Sequence, residues 1–102
     1  KATNVKWGKE GKNFEAEFKN GTTPMSLLYD ATGTLLETET GLKTTQLPQA
    51  VKDYISKNLT GSKIKEASVI KTLKGVTKYE AEINGKDYLF NKSGKLLSIE
   101  KD

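Results

Sequence analysis

The 102-residue chain contains no cysteine, no histidine and no arginine. Without cysteine there is no disulfide framework and no thiolate chemistry, though the redox compartment stays unspecified. Without histidine, zinc sites, serine–histidine triads and imidazole acid–base catalysis lose their usual residue. Without arginine, the bidentate forks that read guanine and phosphate are missing, which argues against specific nucleic-acid readout. The net charge of +4 therefore comes from lysine alone, and the lysines are scattered among glutamates, so no basic stripe emerges. Apolar residues make up only 34% of the chain. No apolar run approaches the roughly 20 residues that span a bilayer.

What is present is order. A chain of this length is one domain with one modest core, residues 1–102 together. Phe14, Ala16 and Phe18 alternate with Glu15 and Glu17, the period-two pattern of a half-buried strand. Tyr79, Ala81 and Ile83 repeat the pattern around Glu80 and Glu82. LYDATGTLLE at 28–37 is echoed by LFNKSGKLLS at 89–98. Asp30 and Asn91 suit the first position of a tight turn, and Gly33 and Gly94 its left-handed residue. Read as calcium loops, these turns carry too few oxygen ligands, so no metal and no cofactor is expected.

Between the two halves the period changes. In QLPQAVKDYISKNL, residues 46–59, the apolar Leu47, Val51, Tyr54, Ile55 and Leu59 follow helical spacing. Pro48 suits the first turn, Thr44 or Thr45 the cap, Lys57 the C-terminal end, and Gly61 the stop. The expected fold is α+β: an antiparallel sheet of two four-stranded repeats, at 4–40 and 64–101, with one amphipathic helix at 46–59 between them.

The turns imply a register. Tyr29 should pair with Leu35 and Leu28 with Leu36; Phe90 should pair with Leu96 and Leu89 with Leu97. Residues that pair directly share a face. One face then carries Leu28, Leu36, Leu89, Leu97 and Ile99, and the other Leu27, Tyr29, Leu35, Tyr88, Phe90 and Leu96. One helix covers only part of one side of such a sheet. Trp7, Tyr29, Leu35, Tyr88 and Phe90 are therefore the expected protein-binding residues.

The stretches VKWGKEGKNFEAEF, LYDATGTLLE, LPQAVKDYI and KYEAEINGKDYLFNKSGKLL, taken in order, resemble the PepSY-like proteins. These are small exported bacterial proteins with the architecture of β-lactamase inhibitor protein. The resemblance covers nearly the whole chain. It implies a periplasmic or secreted location, an inhibitory or ligand-binding role, and no catalytic residues to carry over. Such proteins usually begin with a helix before the first four strands, so the chain is either truncated or natively shorter. Asn91 stands where the family usually has Asp, which weakens a metal role further. The chain starts at Lys1 with no recognisable leader, which fits equally a processed exported protein or a sequence trimmed of its leader.

Three functions compete. The first is a non-enzymatic binding module that offers an open sheet surface to a protein or peptide, as a monomer or weak dimer, with no nucleic acid and no membrane span. The second is an enzyme built on Glu15 with Glu17 or Glu80 with Glu82, each pair about 7 Å apart on one strand face. Alternation on a solvated strand gives the same pattern without catalysis, so a non-enzyme is expected. The third is a calcium- or small-ligand-responsive accessory protein.

Overall fold

A computed structural model describes residues 2–101. Eight strands form one antiparallel sheet in simple sequence order: β1 (Ala2–Glu10), β2 (Asn13–Asn20), β3 (Thr23–Tyr29), β4 (Leu35–Leu42), β5 (Glu66–Thr72), β6 (Thr77–Ile83), β7 (Lys86–Phe90) and β8 (Leu96–Lys101). A single helix, α1 (Gln49–Asn58), interrupts the meander between β4 and β5.

The turns follow from a few residues. Asp30 Oδ1 accepts hydrogen bonds from the amides of Thr32 and Thr34 and from the Thr32 hydroxyl. The Thr32 hydroxyl and the turn amides together hold the Asp30 carboxyl below the usual carboxylate range. Asn91 Oδ1 does the same work for Ser93 and Lys95, at 2.8–3.0 Å. Gly33 and Gly94 close these two turns at φ of 89° and 86°, a region closed to most L-residues. The β5–β6 hairpin uses the same device with a hydroxyl: Thr72 Oγ1 accepts the Val76 amide, and Gly75 sits at φ 84°. The β6–β7 link is a two-residue turn with Asn84 and Gly85 both at positive φ, the Asn-Gly signature of a type I′ hairpin.

The register agrees with the expectation at Tyr29–Leu35 and Phe90–Leu96 and departs from it one residue later. Leu28 faces Glu37, not Leu36, and Leu89 faces Ser98, not Leu97. A bulge in β4 and another in β8 absorb the extra residue. In β4 the bulged Leu36 is tied by its carbonyl to the Leu73 amide at 2.8 Å. The β8 bulge also reverses Ile99, which pairs with Tyr88 rather than standing on the face of Leu89.

The helix is shorter than its apolar stripe. Thr44–Gln46 form a separate 3₁₀ turn, and Pro48 caps α1 in an extended conformation at φ −55° and ψ 146°. Neither Thr44 nor Thr45 caps α1; the proline itself sets the entry. Leu47, Val51 and Ile55 project onto β5–β8 and pack with Ala67, Ala81, Ile83, Tyr88 and Phe90. Small residues at 67 and 81 let the helix approach the sheet, and Phe90 and Ile83, each 0% exposed, fill the space beside them. The Tyr54 ring meets Phe90 edge-on, with centroids 5.2 Å apart. At the β7–β8 turn, a Cβ on Gly94 would lie 2.7 Å from the Ala50 carbonyl oxygen, so the bare glycine lets the helix backbone close on the hairpin.

Candidate functional site

The sheet has two unlike sides. On the side that bears α1, the helix covers the second half only. Over β1–β4 the same side presents Trp7, Phe14, Phe18, Leu27, Tyr29 and Leu35, as the ladder positions opposite one another require. Trp7 is 66% exposed, and its ring lies 5.9 Å from Tyr29. Trp7, Tyr29 and Leu35 are thus gathered into one apolar strip. Tyr88 and Phe90 are not part of it: both are buried in the core beneath α1. The five expected binding residues therefore divide between an open strip and a packed interior. The reason is that α1 lies over β5–β8 and leaves β1–β4 bare.

The helix-free side carries the strand carboxylates. By strand parity and pairing, every glutamate in the chain stands on it: Glu10, Glu15, Glu17, Glu37, Glu39, Glu66, Glu80, Glu82 and Glu100. Asp87 joins them opposite Glu82. Strand lysines on this side are Lys6, Lys19 and Lys78. A chain of net charge +4 thus turns an acidic face to one side. Leu28, Ile70 and Leu89 form an apolar floor beneath the carboxylates. Two adjoining grooves run across this face, of about 280 and about 1000 Å³, both bordered by Glu10, Glu15, Glu39 and Glu80.

At the centre, three neighbouring strands bring together Glu39, Ser68 and Glu80. Ser68 is 7% exposed, and its Oγ lies 2.8 Å from Glu39 Oε2 and 3.2 Å from Glu80 Oε1. Burial, the contact with Glu39 and the nearby Asp87 push the Glu80 carboxyl up to about 8, with Ser68 opposing. Burial and then the Glu17, Glu10 and Glu39 carboxylates raise Glu15 as well. At the rim, Lys65 Nζ approaches Glu82 at 3.9 Å. Among the described residues, no three acidic side chains lie close enough to hold a metal ion.

The glutamate pairs singled out in the sequence sit here. Glu15 and Glu17 do act on each other along β2, but Glu80 meets Glu39 across β5 rather than Glu82 along β6. Sequence reading missed Glu39 and Ser68. The signal was available as parity: Glu37 and Glu39 alternate along β4 as Glu15/Glu17 and Glu80/Glu82 do, but only the ladder shows that all face one way.

This fold, one antiparallel sheet with a helix on one side, is shared with solved proteins of Bacteroides. A DUF2874 family protein from Bacteroides uniformis superposes with a TM-score of 0.83 at 16% identity, over 98% of this chain and 78% of that one. A protein of Bacteroides eggerthii, provisionally assigned to the periplasm, gives 0.86 at 12%, with the same coverage. A BLIP-like protein from Bacteroides fragilis gives 0.74 at 23%, over 98% of this chain and 75% of that one. These likenesses establish a BLIP-like architecture. No family profile and no curated protein matches the sequence. Among the described residues, no helix is long and apolar enough to cross a membrane.

Proposed function

We propose that the chain is a non-enzymatic binding module, periplasmic or secreted, that holds a lysine- or arginine-rich protein segment in the groove on its helix-free face. One observation carries this reading: carboxylates surround an apolar floor along an open groove. Lysine and arginine suit such a surface because their aliphatic stems lie on apolar ground while their heads reach the carboxylates. The partner class thus differs from the aromatic docking expected from sequence. The BLIP-like and periplasmic neighbours agree with it in fold and in location.

The test is titration of the full chain with oligolysine. Binding should weaken steeply with added salt, and Glu15→Gln with Glu39→Gln should weaken it several-fold. If binding is absent at low salt, or indifferent to both substitutions, the reading fails.

The two four-stranded halves are read as copies of one unit, and the chain as a PepSY-like member. Matching turn bonds at Asp30 and Asn91 support the first. A second reading concerns Trp7, Tyr29 and Leu35. Their strip continues the floor that α1 covers, and suits an apolar element seated as α1 is. Its test is a peptide of residues 46–59 added to the full chain: Trp7 emission should shift to the blue, and an unchanged spectrum would reject it.

A further inference from the structure

Proton counting at the centre of the acidic face leads beyond a static groove. The Ser68 hydroxyl has one proton to donate and contacts two carboxylates, Glu39 at 2.8 Å and Glu80 at 3.2 Å. If both carboxylates were ionised, two negative groups would have to share that one proton in a forked bond. Glu39 and Glu80 also lean on each other directly. Ionised side chains two strands apart, on a face with open groove space beside them, would swing apart instead. The closure therefore favours a second proton, and burial, the Glu39 contact and Asp87 place it on Glu80.

The surroundings favour keeping it. The charged groups that face the bridge are Glu10 from β1, Glu15 and Glu17 from β2, Glu37 on β4, Lys78 on β6, Asp87 from β7 and Glu100 from β8. From β3 come only the neutral Ser26 and Leu28. Glu66 and Glu82 border the adjoining groove, where Lys65 meets Glu82. Lys43, Lys65 and Lys78 are far outnumbered by carboxylates along the two grooves, so a further negative charge at the centre is opposed from almost every strand.

We propose that the Glu39–Ser68–Glu80 bridge is a proton-operated control on the groove. While the proton is held, two central carboxylates are tied to one another. When it leaves, they separate and become free to grip cations. This rests on the reading of the groove as a site for a basic segment. The raised value of Glu80, about 8, places the release just above neutrality.

The test compares binding of a ten-residue oligolysine at about pH 6 and about pH 9, at fixed ionic strength, where lysine side chains stay almost wholly charged. The wild-type chain should bind about threefold tighter at the higher pH, the scale of one added exposed ion pair. Glu80→Gln should lose that increment. Ser68→Ala removes the hydroxyl that opposes the shift, so the increment should appear only at a higher pH than in the wild-type chain. Carbon-detected NMR of the free chain should show the Glu80 carboxyl titrating well above the ordinary glutamate range. A Glu80 carboxyl that titrates normally, or a pH profile shared by wild type and Glu80→Gln, overturns the control and leaves the groove reading standing. No oligolysine binding at any pH removes the groove reading and the control with it.

Discussion

Replacing Glu80 by glutamine should change how stability depends on pH, and the structure fixes the sign. In the unfolded chain Glu80 loses its proton near 4.5; in the folded chain it keeps it to about 8. Between those limits the folded state binds more protons than the unfolded one. Stability therefore falls as pH rises through that window and levels off above it. Each pH unit of separation is worth about 1.4 kcal/mol, so an unscreened site would lose about 5 kcal/mol across the interval. The groove is open to water on one side, and screening there reduces this to about 1–2 kcal/mol. In Glu80→Gln the new side chain keeps the shape and can donate its amide to Glu39 without a charge to desolvate. The variant's advantage over wild type should thus be small at pH 5 and grow by about 1–2 kcal/mol by pH 8.5, or roughly 4–16 °C in melting temperature for a domain of this size. Circular dichroism melts and urea titrations of both proteins at the two pH values measure it. Because every other carboxylate is common to both chains, the difference isolates position 80. If the difference between the two proteins does not change with pH, Glu80 has an ordinary pKa and the bridge is not proton-linked.

The remaining expectations concern the two halves of the helix-bearing side and its turns. Phe90→Ala should cost about 3–5 kcal/mol, because the ring is 0% exposed beneath α1. Trp7→Ala should cost under about 1 kcal/mol, since that ring is 66% exposed; urea unfolding of the two variants should separate them clearly. Gly33→Ala and Gly94→Ala share the same backbone strain, but only the second drives a methyl to within 2.7 Å of the Ala50 carbonyl. Thermal melts should show Gly94→Ala to be the more damaging by about 1–3 kcal/mol. Asn91→Ala removes the acceptor for the Ser93 and Lys95 amides and should cost about 1–2 kcal/mol in the same measurement.

Much of the fold was legible because it rests on local chemistry. Alternation in FEAEF and YEAEI marks β2 and β6, Asp30 and Asn91 with their glycines mark two hairpins, and the spacing from Leu47 to Ile55 marks α1. What failed was local in appearance but set by tertiary structure. The register beyond each hairpin depends on a bulge, and a bulge inserts one residue without any sequence mark of its own; Leu36 and Leu97 resemble their neighbours in every respect. The turn between β5 and β6 is legible from Gly75, but its hydroxyl acceptor, Thr72, is not. A threonine hydroxyl can replace an Asp or Asn side-chain oxygen as the acceptor, and TLKGV does not resemble DATGT.

The exposure of the five aromatic and apolar candidates was misjudged because of where α1 lies. Turn type groups five residues as if equivalent hairpins had equivalent surroundings, but α1 covers one hairpin and not the other. Tyr88 and Phe90 became core while Trp7, Tyr29 and Leu35 stayed open. The acidic face was hidden by the opposite error. Each glutamate pair, taken strand by strand, looks like an ordinary solvated edge, and a net charge of +4 directs attention to the lysines. Only continuous pairing from β1 to β8 adds the strands together, because in an unbroken antiparallel meander the parity set on one strand is passed to the next. A sheet of two separate four-stranded pieces would not have to bring Glu39 and Glu80 to either side of Ser68. The joining of β4 to β5, the one connection that passes through α1, both covers half of one side and assembles the carboxylate bridge on the other.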